Sequence, residues 1–253
     1  MPKIISIHSY RGGTGKSNST ANLATVIARE GNRVGIVDTD IPSPGIHVLF
    51  GLQEEQMKLT LNDYLWGKCS IDKAAYDVTS VLGDQVADQS KIYLVPSSVK
   101  MNDISRVLRE GYDVDLLFEG FQDLIKKLKL DYLFIDTHPG LNEETLLSLT
   151  LSDIVLIVLR PDQQDFQGSA VTVDVARKLN VPKLLLLVNK ALEEYDFEKL
   201  KEQVKSTYNT QVVGVLPESS DMMRLASSGI FSIKYPDHSI TKVLEGVAKQ
   251  IMS

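Results

Sequence analysis

The ten residues 9–18, SYRGGTGKSN, lie between an apolar run at 4–8 and a stretch with helical spacing at 17–29. The apolar run has the length of a buried strand, and Gly31 gives the helix a stop signal. A glycine-rich loop between a strand and a helix gathers backbone N–H groups and the helix N-terminus around one point, which suits a phosphate anion. The segment therefore predicts a strand, a polyphosphate-binding loop and a helix, in that order.

The residue types within this loop match the chemistry of such a site. Gly12, Gly13 and Gly15 can adopt positive φ and let the backbone approach an anion closely. Lys16 would reach the β- and γ-phosphates, and the Ser17 hydroxyl would ligate Mg²⁺. The strand before and the helix after make an incidental glycine-rich turn the weaker interpretation. The predicted nucleotide-binding residues of the loop are Gly12, Gly13, Thr14, Gly15, Lys16, Ser17 and Asn18.

Short β-branched or leucine-rich runs recur along the chain, and stretches with helical spacing separate them. The predicted strands are 4–8, 33–37, 92–95, 132–135, 154–159, 183–188 and 211–215. The predicted helices are 17–29, 113–128, 166–179, 196–208 and 239–252. This alternation predicts an α/β fold, a doubly wound and mostly parallel sheet flanked by helices, in one domain over residues 1–253. Residues 53–91 are the least periodic and are predicted to be irregular surface structure.

Composition excludes several classes of protein. The 253 residues carry a formal net charge of −6, so the chain has no overall attraction for nucleic acid or acidic lipid. The pairs Arg177-Lys178 and Lys126-Lys127 could bind DNA non-specifically, although solvated helix faces are the favoured interpretation. Cys69 is the only cysteine, which excludes an intramolecular disulfide and a cysteine-rich metal cluster. The lack of a secretory signal and of a long apolar run predicts a cytoplasmic location.

The segment RGGTGKSN resembles the deviant phosphate loop of the MinD/ParA family of ATPases, which reads KGGxGK[ST]. In that family the first lysine reaches across a nucleotide-sandwich dimer to the phosphates bound by the partner subunit. Arg11 stands at this position, so the chain departs from the family at its signature residue but keeps a cation there. The planar fork of arginine suits phosphate oxygens, and a solvated loop charge is the alternative interpretation.

Two further segments resemble the switch motifs of the family. Val37-Asp38-Thr39-Asp40 is similar to the first switch. The resemblance assigns Asp40 to the outer shell of the metal and to positioning or activating the attacking water. Asp38 could act at the site or brace the loop, and both interpretations stay open.

Residues 133–140, LFIDTHPG, resemble the second switch. Asp136 ends a predicted strand, where an unpaired carboxylate would be costly to bury. The resemblance implies that a Mg²⁺-bound water and the Ser17 hydroxyl satisfy this carboxylate, and that Gly140 donates its N–H to the γ-phosphate. His138 occupies the variable position of the motif, either as a phosphate sensor or as a polar loop residue without a role.

Two motifs late in the chain resemble the base-binding parts of the family. Asn189-Lys190 is similar to its NK/NR pair, and an amide that both donates and accepts suits the adenine edge. Residues 214–218 resemble a loop whose backbone and proline wall off the base, which adds Pro217 and Glu218 to the site. The resemblance covers nearly the whole chain, from the first predicted strand to the last predicted helix.

Some relatives in this family carry parts that are missing from the sequence. Iron–sulfur carrier ATPases need paired cluster cysteines, and Cys69 stands alone. MinD ends in a basic, amphipathic membrane-targeting helix, whereas residues 239–252 have an apolar stripe with only Lys242 and Lys249 as basic residues. This last helix is predicted to pack in the core, so no membrane anchor is expected.

The resemblance implies a Mg-ATP-dependent ATPase switch that dimerises on ATP and positions or partitions a cellular cargo. Its catalytic residues would be Arg11, Lys16 and Asp40, and Ser17, Asp40 and Asp136 would surround Mg²⁺. An ATP-dependent homodimer and an unidentified activating or cargo protein are the expected partners. The alternatives are a nucleotide-binding module with negligible hydrolysis, and a ligase or synthetase of the same fold, for which the sequence shows no additional catalytic constellation.

The base-reading segment predicts a preference for ATP over GTP. Asn189-Lys190 lacks the following aspartate that guanine readers use, because Ala191 and Leu192 come next. In competition binding against a labelled ATP analogue, we expect GTP to compete more weakly than ATP. GTP binding equal to or tighter than ATP binding would contradict this assignment.

Overall fold

The structure is a computed structural model that describes residues 2–83 and 86–253. Within these residues, eight strands form one sheet in the order β3-β4-β2-β5-β1-β6-β7-β8. The strands are β1 (Lys3–His8), β2 (Arg33–Asp38), β3 (Tyr76–Asp77), β4 (Lys91–Val95), β5 (Tyr132–Asp136), β6 (Ile154–Leu159), β7 (Lys183–Ala191) and β8 (Gln211–Pro217). The pairs run parallel except at the edge, where β3 is antiparallel to β4. The predicted mostly parallel α/β fold is confirmed.

Helices connect the strands and cover both faces of the sheet. They are α1 (Lys16–Arg29), α2 (Ile46–Leu49), α3 (Leu61–Leu65), α4 (Met101–Glu110), α5 (Val114–Leu128), α6 (Glu143–Leu151), α7 (Gln163–Lys178), α8 (Phe197–Tyr208), α9 (Ser220–Leu225), α10 (Phe231–Lys234) and α11 (Ser239–Met252). The alternate side chains of a strand point to opposite faces. In β6, Ile154 and Leu156 join the core under α1 and α11, whereas Val155 and Ile157 join the core under α7 and α8. The sheet is therefore doubly wound.

The carboxyl ends of the central strands place two acidic residues at one edge of the sheet. β2 ends at Asp38 and β5 at Asp136, and these two residues are register partners in the parallel pair. Both carboxylates therefore lie beside the loop that follows β1, because β5 is the neighbour of both β1 and β2. Ligands bind at this edge in open parallel sheets, and at this point the strand order reverses direction.

Residues 53–91 are not irregular surface structure throughout, which corrects the prediction from periodicity. The segment contains α3 and the edge strand β3, and it buries Leu61, Ile71 and Leu82. Its apolar residues lie on short helical turns, so their spacing follows no single period and gives no periodic signal. Residues 84 and 85 of this segment lie outside the described residues.

The last helix packs in the core, as its apolar stripe predicts. Leu244, Val247 and Ile251 of α11 are almost completely buried against the sheet and α1. The contact is close: a Cβ placed on Gly214 in β8 would lie 2.8 Å from Val243 Cγ1. Across the described ranges 2–83 and 86–253, no helix is both long enough and apolar enough to cross a bilayer.

Candidate functional site

The loop after β1 presents the N-terminus of α1 without a side-chain cap. Gly13 and Gly15 have φ of 77° and 96°, the left-handed region that glycine tolerates. Gly15 immediately precedes Lys16, the first residue of α1, and offers no capping side chain. The first N–H groups of a helix need partners from outside it, and the positive end of the helix dipole favours an anion. This local geometry suits a phosphate group.

Lys16 is buried among carboxylates at the edge of the sheet. Its side chain is 7% exposed, with Nζ 3.2 Å from Asp136 Oδ1 and 3.8 Å from Asp40 Oδ2. The hydroxyl of Thr20, one turn further along α1, also donates to Asp136 Oδ1 at 3.1 Å. The second oxygen of Asp136, Oδ2, is buried with no hydrogen-bond partner among the described residues. An oxygen of this kind can accept from a metal-bound water.

Asp38 braces the loop that follows β2. The side chain is fully buried, and its two oxygens accept from the backbone N–H groups of Asp40 at 3.0 Å and Gly45 at 3.3 Å. Burial raises the pKa of Asp38 well above its usual range, the negative charge of Asp136 raises it further, and Lys16 opposes both. Of the two interpretations left open by the sequence, these contacts favour the structural one.

Asp40 is fixed by contacts at both ends. Its backbone N–H is held by Asp38, and its side-chain Oδ1 lies 2.7 Å from Nδ1 of His138. His138 is therefore not an isolated loop histidine, because it contacts the carboxylate that the first-switch motif singles out. No local pattern in the sequence indicates this pair, since the two residues belong to different loops.

A second histidine, His8 at the end of β1, contacts the second switch loop. His8 Nδ1 lies 2.7 Å from Thr137 Oγ1, and the Thr137 hydroxyl donates to the carbonyl of Ile7 at 3.1 Å. Because that hydroxyl hydrogen is already used, His8 Nδ1 is the donor in this pair. Burial, followed by the charges of Lys16 and His138, lowers the pKa of His8 from 6.5 to about 3. His8 is thus a neutral link between β1 and the loop after β5.

Gly140 ties the second switch to the phosphate loop. Its N–H donates to the carbonyl of Ser9 at 3.1 Å, and its φ is 89°. The γ-phosphate contact predicted for this N–H would therefore require the bond to Ser9 to open. A single backbone bond of this kind can serve as a movable connection between the two loops.

The Asn189-Lys190 pair contacts the phosphate loop directly. Asn189 Nδ2 donates to the carbonyl of Thr14 at 2.7 Å, and Lys190 Nζ donates to the carbonyl of Gly13 at 2.8 Å. A Cβ on Gly15 would lie 2.2 Å from Asn189 Nδ2, so only glycine fits there without displacement. Both side chains therefore bind backbone carbonyls of the phosphate loop.

Two adjoining cavities extend from the loop. One, of about 340 Å³, lies between the α1 N-terminus and α9, and its lining includes Asn18, Asn189, Pro217, Glu218, Met222 and Met223. The other, of about 240 Å³, is lined by loop residues with Lys16, Ser17, Asp40 and Pro139. Gly13, Gly15 and Asn18 border both cavities. A planar, partly apolar group would fit the first cavity and an anion the second.

The exposed side chain of Arg11 pairs with Asp162, the residue that precedes α7. Its Nη1 is 3.6 Å from Asp162 Oδ1, and the side chains are 45% and 38% exposed. Asp162 also caps α7 by accepting from the backbone N–H of Asp165, and it pairs with Arg160 at 3.5 Å. An exposed pair of this type is worth roughly 1 kcal/mol or less. The sequence did not indicate Asp162 as the partner of Arg11.

The basic pairs considered for DNA binding make contacts within the chain. Arg177 donates to the carbonyls of Tyr208 and Asn209 and to the Thr210 hydroxyl, so it supports the turn before β8. Lys127 Nζ lies 2.7 Å from Asp72 Oδ1. Two of the four basic residues, Arg177 and Lys127, therefore have structural roles within the chain.

A protein-family model described as an AAA domain matches residues 2–193. The chain belongs to the MinD/ParA family of P-loop ATPases. This family includes cell-division and plasmid-partition proteins. An uncharacterised ATP-binding protein of Methanocaldococcus jannaschii is 26% identical and aligns with 100% of this chain and 88% of its own length.

Two solved structures of the MinD/ParA family share the fold. The septum site-determining protein MinD of Pyrococcus horikoshii, complexed with Mg-ADP, has a TM-score of 0.80 and 24% identity, over 99% of this chain and 96% of that one. A putative plasmid partition protein of Borrelia burgdorferi, bound to AMPPNP, has a TM-score of 0.73 and 22% identity, over 100% and 99%. The likeness therefore extends over the whole sheet.

The buried His8 predicts a specific loss of stability in acid. The pKa of His8 in the folded state is about 3, below the ordinary 6.5. Between these two pH values the unfolded chain therefore binds a proton at His8 that the folded chain does not bind. The free energy of unfolding should therefore fall as pH drops from about 6.5 towards 3, by up to about 1.4 kcal/mol per pH unit from this group.

The matched variant is His8→Asn, whose side-chain amide places a donor near the Nδ1 position and does not titrate. Urea unfolding between pH 7 and pH 4 should show the wild type losing stability relative to the variant as pH falls. Parallel stability curves for the two proteins would contradict the buried, neutral state of His8.

Proposed function

We propose that the chain is a Mg-ATP-dependent ATPase that acts as a dimerising molecular switch. The observation that carries this proposal is the position of Lys16, whose ammonium is buried between Asp136 and Asp40 at the uncapped start of α1. A cation with two carboxylates at the uncapped N-terminus of a helix matches the chemistry of a polyphosphate with a divalent metal.

ATP would lie across the two adjoining cavities. Asn18, Pro217 and Met222 border the larger cavity, which suits the base and sugar. Lys16 and the backbone of the loop border the smaller one, which suits the phosphates. Asn189 and Lys190 would stabilise the loop through their hydrogen bonds to the carbonyls of Thr14 and Gly13.

Mg²⁺ fits the residues present at the phosphate end. Ser17 and Asp40 border this cavity, and Asp136 Oδ2 beside it is a buried oxygen with no partner in the described chain. Those described ranges contain no group of three or more His, Cys, Asp or Glu side chains arranged to hold a metal. Mg²⁺ commonly binds through one or two carboxylates, substrate phosphates and waters, and when bound it would neutralise phosphate charge.

Hydrolysis would depend on this chain's own charges and carboxylates. Lys16 would leave the carboxylates and bind the phosphate oxygens, which its flexible side chain permits. Asp40, the carboxylate that borders the cavity at the phosphate end, would orient the attacking water and accept its proton. Gly140 would exchange the Ser9 carbonyl for a phosphate oxygen, so that the second switch loop reports the state of the nucleotide.

Arg11 would act on the nucleotide of a second subunit. Its side chain pairs with Asp162 and is not among the described residues that line the cavity at the phosphate end, where Lys16 already supplies the cation. Its exposed contact with Asp162 is weak enough to be exchanged for a phosphate in trans. Two directed hydrogen bonds from the guanidinium would bind phosphate oxygens across a homodimer interface.

The cellular role would be the positioning or partitioning of a cargo, through an activating or cargo protein that recognises the ATP-bound dimer. Cell-division and plasmid-partition proteins among the relatives support this class of role. The buried stripe of α11 supports a chain that does not use this helix as a membrane anchor. A cytoplasmic location remains a prediction of the sequence.

The dimer proposal is tested with Arg11→Ala. The variant should bind ATP as a monomer, because Lys16 and the loop remain, but it should fail to dimerise. Size-exclusion chromatography with light scattering, with and without a non-hydrolysable ATP analogue, measures this directly. The wild type should shift from monomer to dimer when the analogue is added.

Two matched variants sharpen the experiment. Arg11→Lys keeps a cation and should still dimerise, whereas Arg160→Ala removes the neighbouring cation that also pairs with Asp162 and should have no effect. A wild type that stays monomeric with the analogue, or an Arg11→Ala variant that dimerises normally, would contradict the proposal and favour the interpretation of Arg11 as a solvated loop charge.

A further inference from the structure

We propose that His138 is a positioning residue that holds the Asp40 carboxylate in place while ATP is hydrolysed. The inference rests on the proposed function, because it gives His138 a task in the step that Asp40 would perform. The contact that carries it is the 2.7 Å distance between His138 Nδ1 and Asp40 Oδ1. His138 is 30% exposed and Asp40 13% exposed in their side chains, so water competes only partly for this bond.

The two oxygens of Asp40 have different partners. Oδ1 accepts from His138, since a carboxylate oxygen accepts and the imidazole nitrogen must therefore donate. Oδ2 faces Lys16 Nζ at 3.8 Å. The histidine therefore fixes one oxygen and leaves the other directed towards the cation and the phosphate end of the cavity.

The importance of His138 increases when nucleotide binds. In the proposed cycle Lys16 turns to the phosphates, so Asp40 loses the cation that faces Oδ2. Among the contacts of the described residues, His138 is then the remaining side chain that restrains the Asp40 carboxylate. A carboxylate held by one directed bond keeps its orientation, whereas a free one samples other rotamers.

His138 also connects the two switch loops. It lies between Asp136 and Gly140 on the loop after β5, and Asp40 lies on the loop after β2. The histidine is itself anchored, because its carbonyl accepts from the Thr145 hydroxyl of α6 at 3.4 Å. A movement of the second switch would therefore shift the partner of Asp40, which couples phosphate contact to the placement of the catalytic carboxylate.

Three substitutions at one position separate this role from a general structural one. His138→Ala removes the donor. His138→Asn places an amide nitrogen near the position of Nδ1, and His138→Gln places it one bond further out, near Nε2. The contact is made through Nδ1, so the asparagine variant should restore the function and the glutamine variant should not.

The first measurement is steady-state hydrolysis of ATP with Mg²⁺. We expect His138→Ala and His138→Gln to lower kcat by roughly 10- to 100-fold, the scale for residues that orient a ligand of the metal shell. The KM, and the Kd of a fluorescent ATP analogue, should stay within about twofold. His138→Asn should recover kcat to within about threefold of the wild type. Unchanged kcat in His138→Ala, equal recovery by glutamine, or a parallel loss of nucleotide affinity would overturn the proposal.

The second measurement needs no turnover and separates this inference from the proposed ATPase. Hydrogen–deuterium exchange of residues 39–45 in the nucleotide-free protein should be faster in His138→Ala and His138→Gln, and close to wild type in His138→Asn. If the wild type does not hydrolyse ATP, the proposed function fails but this pattern still tests the link between the loops. Equal exchange in all four proteins would overturn it.

Discussion

The arrangement of the site depends on one buried ammonium group among three carboxylates. Asp38 and Asp136 end the neighbouring strands β2 and β5, and Asp40 lies two residues after Asp38. Lys16, the first residue of α1, places its ammonium beside Asp136 and Asp40. Burying several carboxylates together is costly unless a cation or a proton compensates. Lys16 supplies the cation, and burial together with the charge of Asp136 raises the pKa of Asp38. In the proposed function, Lys16 would exchange these carboxylates for phosphate oxygens when Mg-ATP binds.

The parallel sheet determines where Lys16 and the three carboxylates meet. Because β5 pairs with both β1 and β2, the phosphate loop and both switch loops emerge side by side. A few contacts then link these loops, among them Gly140 to Ser9 and His138 to Asp40, and Asp38 braces its own loop through the backbone of Asp40. Few and local bonds of this type can be exchanged without disturbing the core, which is the physical requirement for a switch.

Local patterns in the sequence predicted the parallel strands and the residues that line the loop, because strand burial and phosphate chemistry both leave short-range signals. α4 was missed because its helical pattern buries only Val107, so it lacks a wide apolar face. The contact of His138 with Asp40 joins residues 98 positions apart, and the pairing of Arg11 with Asp162 likewise joins separate loops. No local period encodes such contacts, so only the folded topology reveals them.

The central claim is that Lys16 and the neighbouring carboxylates have separate roles in one ATPase site. Single-turnover release of γ-phosphate at saturating Mg-ATP tests it in the wild type, in Asp40→Ala and in Lys16→Ala. The account predicts release by the wild type, a rate lower by about 10²-fold or more in Asp40→Ala with ATP affinity retained, and weakened ATP binding in Lys16→Ala. No release by ATP-saturated wild type, or a wild-type rate in Asp40→Ala, would contradict the account.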